Sequence, residues 1–113
     1  MATREEVLAQ VREIRPGAYP DGLLLAWLDE IEARIKSEVL EGYEHEEPQE
    51  GELLAPSPYS ALYRWWLVCQ IDLSNAETDR YNADYSTFFP LWTEYAHSVS
   101  RTHRRIIRRD YKI

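Results

Sequence analysis

Six residues, Tyr81, Tyr85, Phe88, Trp92, Tyr95 and Val99, recur at steps of four, three, four, three and four. That spacing follows the 3.6-residue period of an α-helix and lays all six along one side of it. A stripe this aromatic cannot stay in water along its whole length. It must meet another apolar helix face, and the same chain supplies two. Leu62, Trp66, Cys69 and Leu73 step by four, three and four, and so do Leu24, Leu28, Ile31 and Ile35. Ten of the 14 aromatic residues lie between Tyr59 and Tyr95. The third and fourth helices should therefore form the heart of the core, with the second packed on them. The seam would hold Trp66, Tyr81, Phe88, Trp92 and Tyr95, with Asn82 at its turn.

Local signals set the boundaries. Thr3 followed by Glu6 is a capping box, so a first helix should start near Arg4, turn Val7, Val11 and Ile14 inward, and end at Pro16-Gly17. Pro20 and Asp21 open the second helix and Gly42 stops it. Glu30-Arg34 and Glu32-Lys36 are placed as i, i+4 pairs on its wet side. Residues 43–57 read as a mobile loop with Pro48, Gly51 and Pro56, anchored by Leu53 and Leu54, and with room for a short hairpin. Ser57 is placed to cap the third helix with Pro58 at its first position. The fourth helix should start within 78–86, with Asn82 a candidate cap and Asp72 and Arg80 tying the turn before it. Pro90 should kink that helix if it starts near Asn82, and is tolerated if it starts near Ser86. The expected fold is a single all-α domain over residues 1–113. It is four-helix and bundle-like, with a long acidic loop between helices two and three and a basic tail over 105–113 that extends the last helix or runs as a strand.

Charge is unevenly placed. The net charge is -7, but residues 1–56 hold 14 acids and 5 bases, whereas residues 57–113 hold 6 acids and 8 bases. The loop contributes Glu44, Glu46, Glu47, Glu50 and Glu52; the tail contributes Arg101, Arg104, Arg105, Arg108 and Arg109. Both sets are candidate interaction residues, the loop toward a channel or a neighbour and the tail toward a partner protein or a neighbour. A helical tail would gather several of these arginines on one side. Overall acidity argues against a free DNA-binding protein.

Catalytic and metal chemistry find little support. Asp72, Glu77, Asp79 and Asp84 lack a Glu-x-x-His partner motif, and Asp72 and Asp79 flank an expected helix end where acids cap or face solvent. His45 lies among glutamates, and His97 and His103 are six residues apart, on different helix faces. There is no nucleophile elbow, phosphate loop or dinucleotide fingerprint. Cys69, the lone cysteine, sits in an apolar stretch as a small hydrophobe. Neither an enzyme nor a cofactor is expected. No apolar run is long enough to span a membrane, and the charged N-terminal stretch MATREEVLAQ suggests a cytoplasmic protein.

The run from Pro58-Tyr59 through Tyr63, Gln70-Ile71-Asp72-Leu73, Glu77, Arg80-Tyr81-Asn82, Phe89 and Glu94-Tyr95-Ala96 to Arg101 and His103 resembles the C-terminal half of a family of head–tail connector (adaptor) proteins. These belong to long-tailed phages and prophages of Gram-positive bacteria. The resemblance covers about residues 56–104; the first half matches only in layout, and Pro90 departs from the pattern. It implies a small helical structural protein without catalytic residues. Such proteins form a ring beneath the portal protein, extend the DNA channel without binding DNA specifically, and offer a face to a tail or stopper protein. It further implies assembly in the host cytoplasm and a place at the head–tail interface of the virion. Two other expectations stand beside it. One is a prophage dimer binding through a Trp65-Trp66 surface. The other is a packaging factor that binds nucleic acid through Arg104, Arg105, Arg108 and Arg109.

Overall fold

The computed structural model describes residues 2–17 and 19–106. Four α-helices follow in order: α1 (Arg4–Ile14), α2 (Asp21–Arg34), α3 (Ala61–Ser74) and α4 (Thr78–Thr102). The fold is all-α. A π-helical turn, Ile35–Val39, continues α2. The described body measures 54 × 30 × 23 Å.

The helices are arranged around α3. Leu62, Tyr63, Trp66, Leu67, Val68, Cys69, Ile71 and Asp72 are buried on nearly all its sides, as suits a helix with neighbours all round. α1, α2 and α4 each pack on it, and α1 also touches α2. From α2 come Leu24, Leu28 and Ile31, joined by Ile35; from α4 come Phe88, Tyr95 and Val99. The three stripes read from the sequence therefore meet, with two departures. Leu73, assigned to the α3 stripe, is 59% exposed, and Tyr85 on α4 is 38% exposed. Trp66 packs on Phe88, which packs in turn on Trp92. Trp66 is buried, and its Nε1–H donates to the Trp27 carbonyl at 3.1 Å. A Trp65-Trp66 docking surface does not exist, because only Trp65 reaches even partial exposure.

Helix ends follow local chemistry, in places against expectation. The Glu6 N–H donates to Thr3 Oγ1 at 3.2 Å, as the capping box requires. α3 does not start at Ser57. The Ser57–Pro58 peptide is cis, residues 57–60 form a turn, and the helix begins at Ala61 after Ser60. Asn82 does not cap α4; the helix begins four residues earlier, after Glu77, and Asn82 is an exposed interior position. The α3–α4 connection closes itself by backbone bonds: the Glu77 N–H donates to the Asp72 carbonyl and the Ala76 N–H to the Leu73 carbonyl. This is a Schellman motif, and Ala76 holds its left-handed position at φ 56 where glycine is usual. Pro90 lies inside α4, which is continuous across it. The π-turn is closed by the Leu40 N–H donating to the Ile35 carbonyl at 2.9 Å, and the chain then turns at Gly42 with φ 83.

α4 ends at Thr102, and 103–106 run extended instead of helical. Arg104 and Arg105 thus share no helix face with Arg101. No hairpin forms in the loop. Among the described residues its pairings are isolated bridges, Thr3 with Glu52 and Tyr43 with Arg105. Arg108 and Arg109, and the rest of the expected tail beyond residue 106, lie outside the described residues.

Candidate functional site

The chain's polar features gather at three places. The first joins the two charge runs. The start of the glutamate loop pairs with the segment after α4: the Glu44 N–H donates to the Arg104 carbonyl at 2.7 Å and the Ile106 N–H to the Gly42 carbonyl at 2.8 Å. Arg105 lies over the Tyr43 ring at 5.0 Å, a cation–π contact. Glu44, His45, Glu46, His103 and Arg104 line the cleft between them. Farther along, Lys36 and His45 both reach Glu47, at 3.0 and 3.4 Å. Lys36 holds the Glu47 carboxyl below its ordinary range. The end of the loop is stitched to the other end of the chain, with the Arg4 N–H donating to the Gly51 carbonyl and the Leu53 N–H to the Ala2 carbonyl. Acidic and basic runs, read from the sequence as separate contact surfaces, are neighbours within one molecule. Glu44, Glu46, Glu47 and Glu50 are exposed, and Glu52 is half-buried. Arg101, Arg104 and Arg105 are exposed.

The second place is buried, against the sequence reading, which sets Glu32 on the wet side of α2 as the partner of Lys36. Glu32 is 8% exposed. Tyr63 donates its hydroxyl hydrogen to Glu32 Oε1 at 2.5 Å, the Leu54 N–H donates to Oε2 at 3.1 Å, and the Tyr63 oxygen accepts from the Ala55 N–H at 2.7 Å. Burial raises the Glu32 carboxyl above its ordinary value, against the opposing pull of these donors. Burial and the adjacent carboxylate drive the Tyr63 phenol far upward, so it stays protonated. The pair fastens Leu53-Leu54-Ala55 to the α2–α3 seam, with Leu53 and Ala55 fully buried. Arg34, expected to pair with Glu30, instead pairs with Glu38 at 2.8 Å and lies over both Trp66 and Trp92 at 5.4 Å.

The third place ties α1, α3 and α4. Asp72, expected to cap a helix end or face solvent, has a fully buried side chain. Its carboxylate accepts from Arg15 Nε at 3.0 Å and Nη2 at 3.4 Å, while the same Nη2 donates to Asp84 Oδ2 at 2.9 Å. Arg80, read as the partner of Asp72, pairs with Glu77 at 3.2 Å. Burial disfavours the Asp72 anion, but Arg15 outweighs it and holds that carboxyl below its usual value. Burial and the Asp72 carboxylate push Asp84 up to about 6. One guanidinium thus serves two carboxyls that repel each other and share a hydrogen bond once Asp84 is protonated.

Every buried side-chain nitrogen and oxygen among the described residues has a partner. No group of three or more histidine, cysteine or acidic side chains among them is arranged to hold a metal ion. Cys69 is buried, and burial pushes its thiol up to about 12, so it is not a nucleophile near neutral pH. No helix among the described residues is long and apolar enough to cross a membrane. The two buried polar nodes had a faint sequence signal: each is an acid on or beside an apolar stripe. The basic partner of one and the phenol of the other lie tens of residues away. No protein-family model, curated protein or solved structure matches the chain.

Proposed function

We propose that this chain is a structural part of a long-tailed phage or prophage, a head–tail connector that takes its place in a ring beneath the portal and extends the DNA channel. One observation carries the reading beyond the resemblance itself. Tyr63 and Asp72, both among the residues that resemble the connector family, are the buried polar hubs of the fold, and their partners Glu32 and Arg15 lie in the half of the chain that resembles it only in layout. Two of the resembling positions therefore hold both halves together, which supports a shared fold.

In that setting the portal protein and a tail or stopper protein are the partners on the two faces of the ring, and further copies of the chain are the neighbours within it. The exposed Glu44, Glu46, Glu47 and Glu50 supply negative charge that, turned to the channel, repels DNA phosphates and lets DNA pass without sticking. The protein works in the host cytoplasm during assembly and then within the virion, without catalysis or a cofactor.

The test is co-purification with the portal protein of the same genome, followed by electron microscopy. A ring seated on the portal is the expected result. Absence of binding at micromolar concentration and low salt would overturn the proposal. Replacing the four loop glutamates with glutamine should impair DNA ejection; unchanged ejection would remove them from the channel wall.

A further inference from the structure

The cleft between the glutamate loop and the segment after α4 has a volume of about 430 Å³, within the range of small-molecule sites. Its floor is apolar, formed by Leu40, Leu54 and Pro56 beside Tyr95. Tyr95 is 2% exposed, and its ring packs on Tyr59 at 5.8 Å. A phenol at that depth normally finds a hydrogen-bond partner. The Tyr95 hydroxyl has none among the described residues, although every fully enclosed side-chain oxygen among them has one. That oxygen is therefore not enclosed, and it opens onto the cleft that the side chain lines. It is free there both to donate and to accept.

The walls carry opposite charges that do not meet. Tyr43 stands opposite Arg105 in the antiparallel bridge, which sets Glu44 opposite Arg104. Side chains along an extended segment alternate between its two faces. Tyr43 and Arg105 share one face, where they stack. Glu44 and Arg104 share the other and line the cleft, with Glu46 at the next position on that face. An acid and a base so opposed, with Cβ atoms about 4.5–5.5 Å apart, ordinarily pair. Here the ion pairs of the loop run to Glu47 from Lys36 and His45, and among the described residues Glu44, Glu46 and Arg104 have no ionic partner. His103 is engaged with Thr102 at 3.0 Å. Two carboxylates on one wall and a guanidinium on the other are left facing the same space, above a free phenol.

We infer that this cleft binds a free α-amino acid whose large side chain ends in a hydrogen-bonding group. Its carboxylate meets the Arg104 guanidinium, which can hold it by two parallel bonds. Its ammonium meets Glu44 and Glu46. Its side chain lies on Leu40, Leu54 and Pro56, with the polar tip at the Tyr95 hydroxyl. A zwitterion fits because it brings both charges on one carbon to an acid and a base that stand side by side. A simple anion would face two glutamates, a simple cation would face Arg104, and the end of a peptide carries only one of the two charges. L-Tyrosine has all of these features. In a cleft open on one side, a ligand of that size should bind with a dissociation constant on the order of 0.1–1 mM. The inference goes beyond the ring reading and is tested on the isolated chain, so its failure leaves that reading untouched.

The experiment is a titration of the isotope-labelled full chain with L-tyrosine up to about 2 mM, read by magnetic resonance at the backbone amides of Glu44, Glu46 and Arg104. Tyramine lacks the carboxylate and desaminotyrosine the ammonium; each should bind at least about tenfold more weakly. L-Phenylalanine lacks only the hydroxyl and should lose about fivefold. Arg104→Gln, at an exposed position, should reduce L-tyrosine to the level of tyramine, and Tyr95→Phe should abolish the preference for L-tyrosine over L-phenylalanine. No movement of these amides overturns the inference. So does tyramine or desaminotyrosine binding as well as L-tyrosine, or L-tyrosine binding indifferent to Arg104→Gln.

Discussion

Replacing Tyr63 with phenylalanine removes one oxygen from a site where that oxygen serves two partners. It donates to the Glu32 carboxylate at 2.5 Å and accepts from the Ala55 N–H at 2.7 Å, both in buried surroundings. The ring and its packing survive the change, so no cavity term enters. A hydrogen bond to a charged acceptor contributes about 1.5–3 kcal/mol, and a buried N–H left without a partner costs about 1–3 kcal/mol. Glu32 keeps the Leu54 N–H, which limits the first loss. The expected destabilisation is therefore about 3 kcal/mol near neutral pH. Urea unfolding followed by circular dichroism reads it. With a slope of roughly 1–2 kcal/mol per molar, the midpoint should fall by about 1.5–3 M at unchanged slope. The loss should shrink as pH falls, because burial has already raised Glu32 and its neutral form demands less of its donors. A midpoint shift under about 0.3 M would mean that water or a shifted loop replaces the phenol, and the account of how residues 53–55 are held would be wrong.

Other predictions concern the remaining nodes. Asp84, raised to about 6, binds its proton more tightly in the folded chain than in the unfolded one. Folding stability should therefore rise as pH drops from about 7 toward 4, and fall again at lower pH as Asp72, whose pKa is lowered, takes a proton; unfolding midpoints across pH 3–8 trace this maximum. Asp84→Asn should flatten the arm between pH 5 and 7 and change stability at pH 7 by less than about 1 kcal/mol, since an amide can both accept from Arg15 and donate to Asp72. Asp72→Asn, by contrast, should cost about 3 kcal/mol or more, because it breaks a buried pair. Ala76→Gly should stabilise by about 0.5–1 kcal/mol, as it relieves a left-handed position in the Schellman turn. Leu53→Ala should cost about 2–5 kcal/mol by emptying a fully buried site.

Periodicity carried the helices. The stripes of α2 and α4 are long and regular, and each found the core it required. The boundaries failed where tertiary structure overrode a good local signal. Ser57-Pro58 has the chemistry of a helix start, yet the chain makes a turn there first. Asn82 is a strong cap type, yet backbone bonds from Glu77 and Ala76 had already closed the connection. Buried acids were the hardest to read. An i, i+4 partner such as Lys36 is visible from Glu32, whereas Tyr63 is 31 residues away and Arg15 is 57 from Asp72. Only folding brings those groups within reach. The candidate interaction residues were found as charge runs, but their adjacency depends on α4 ending at Thr102, which no nearby proline or glycine announces.

The π-turn after α2 fits five residues, Ile35–Val39, into a wider turn than an α-helix makes. The widened turn brings Leu40 above Ile35, so that Ile35, Val39 and Leu40 are all buried. Deleting Ser37 should return the segment to α-helical geometry, because Leu40 would then stand four residues from Ile35, the α-helical hydrogen-bond spacing. Leu40 would keep its place over Ile35, and Tyr43 its place beside Arg105. The turn holds one residue more than the path of the chain needs, and the first contacts of the acidic loop should survive its removal.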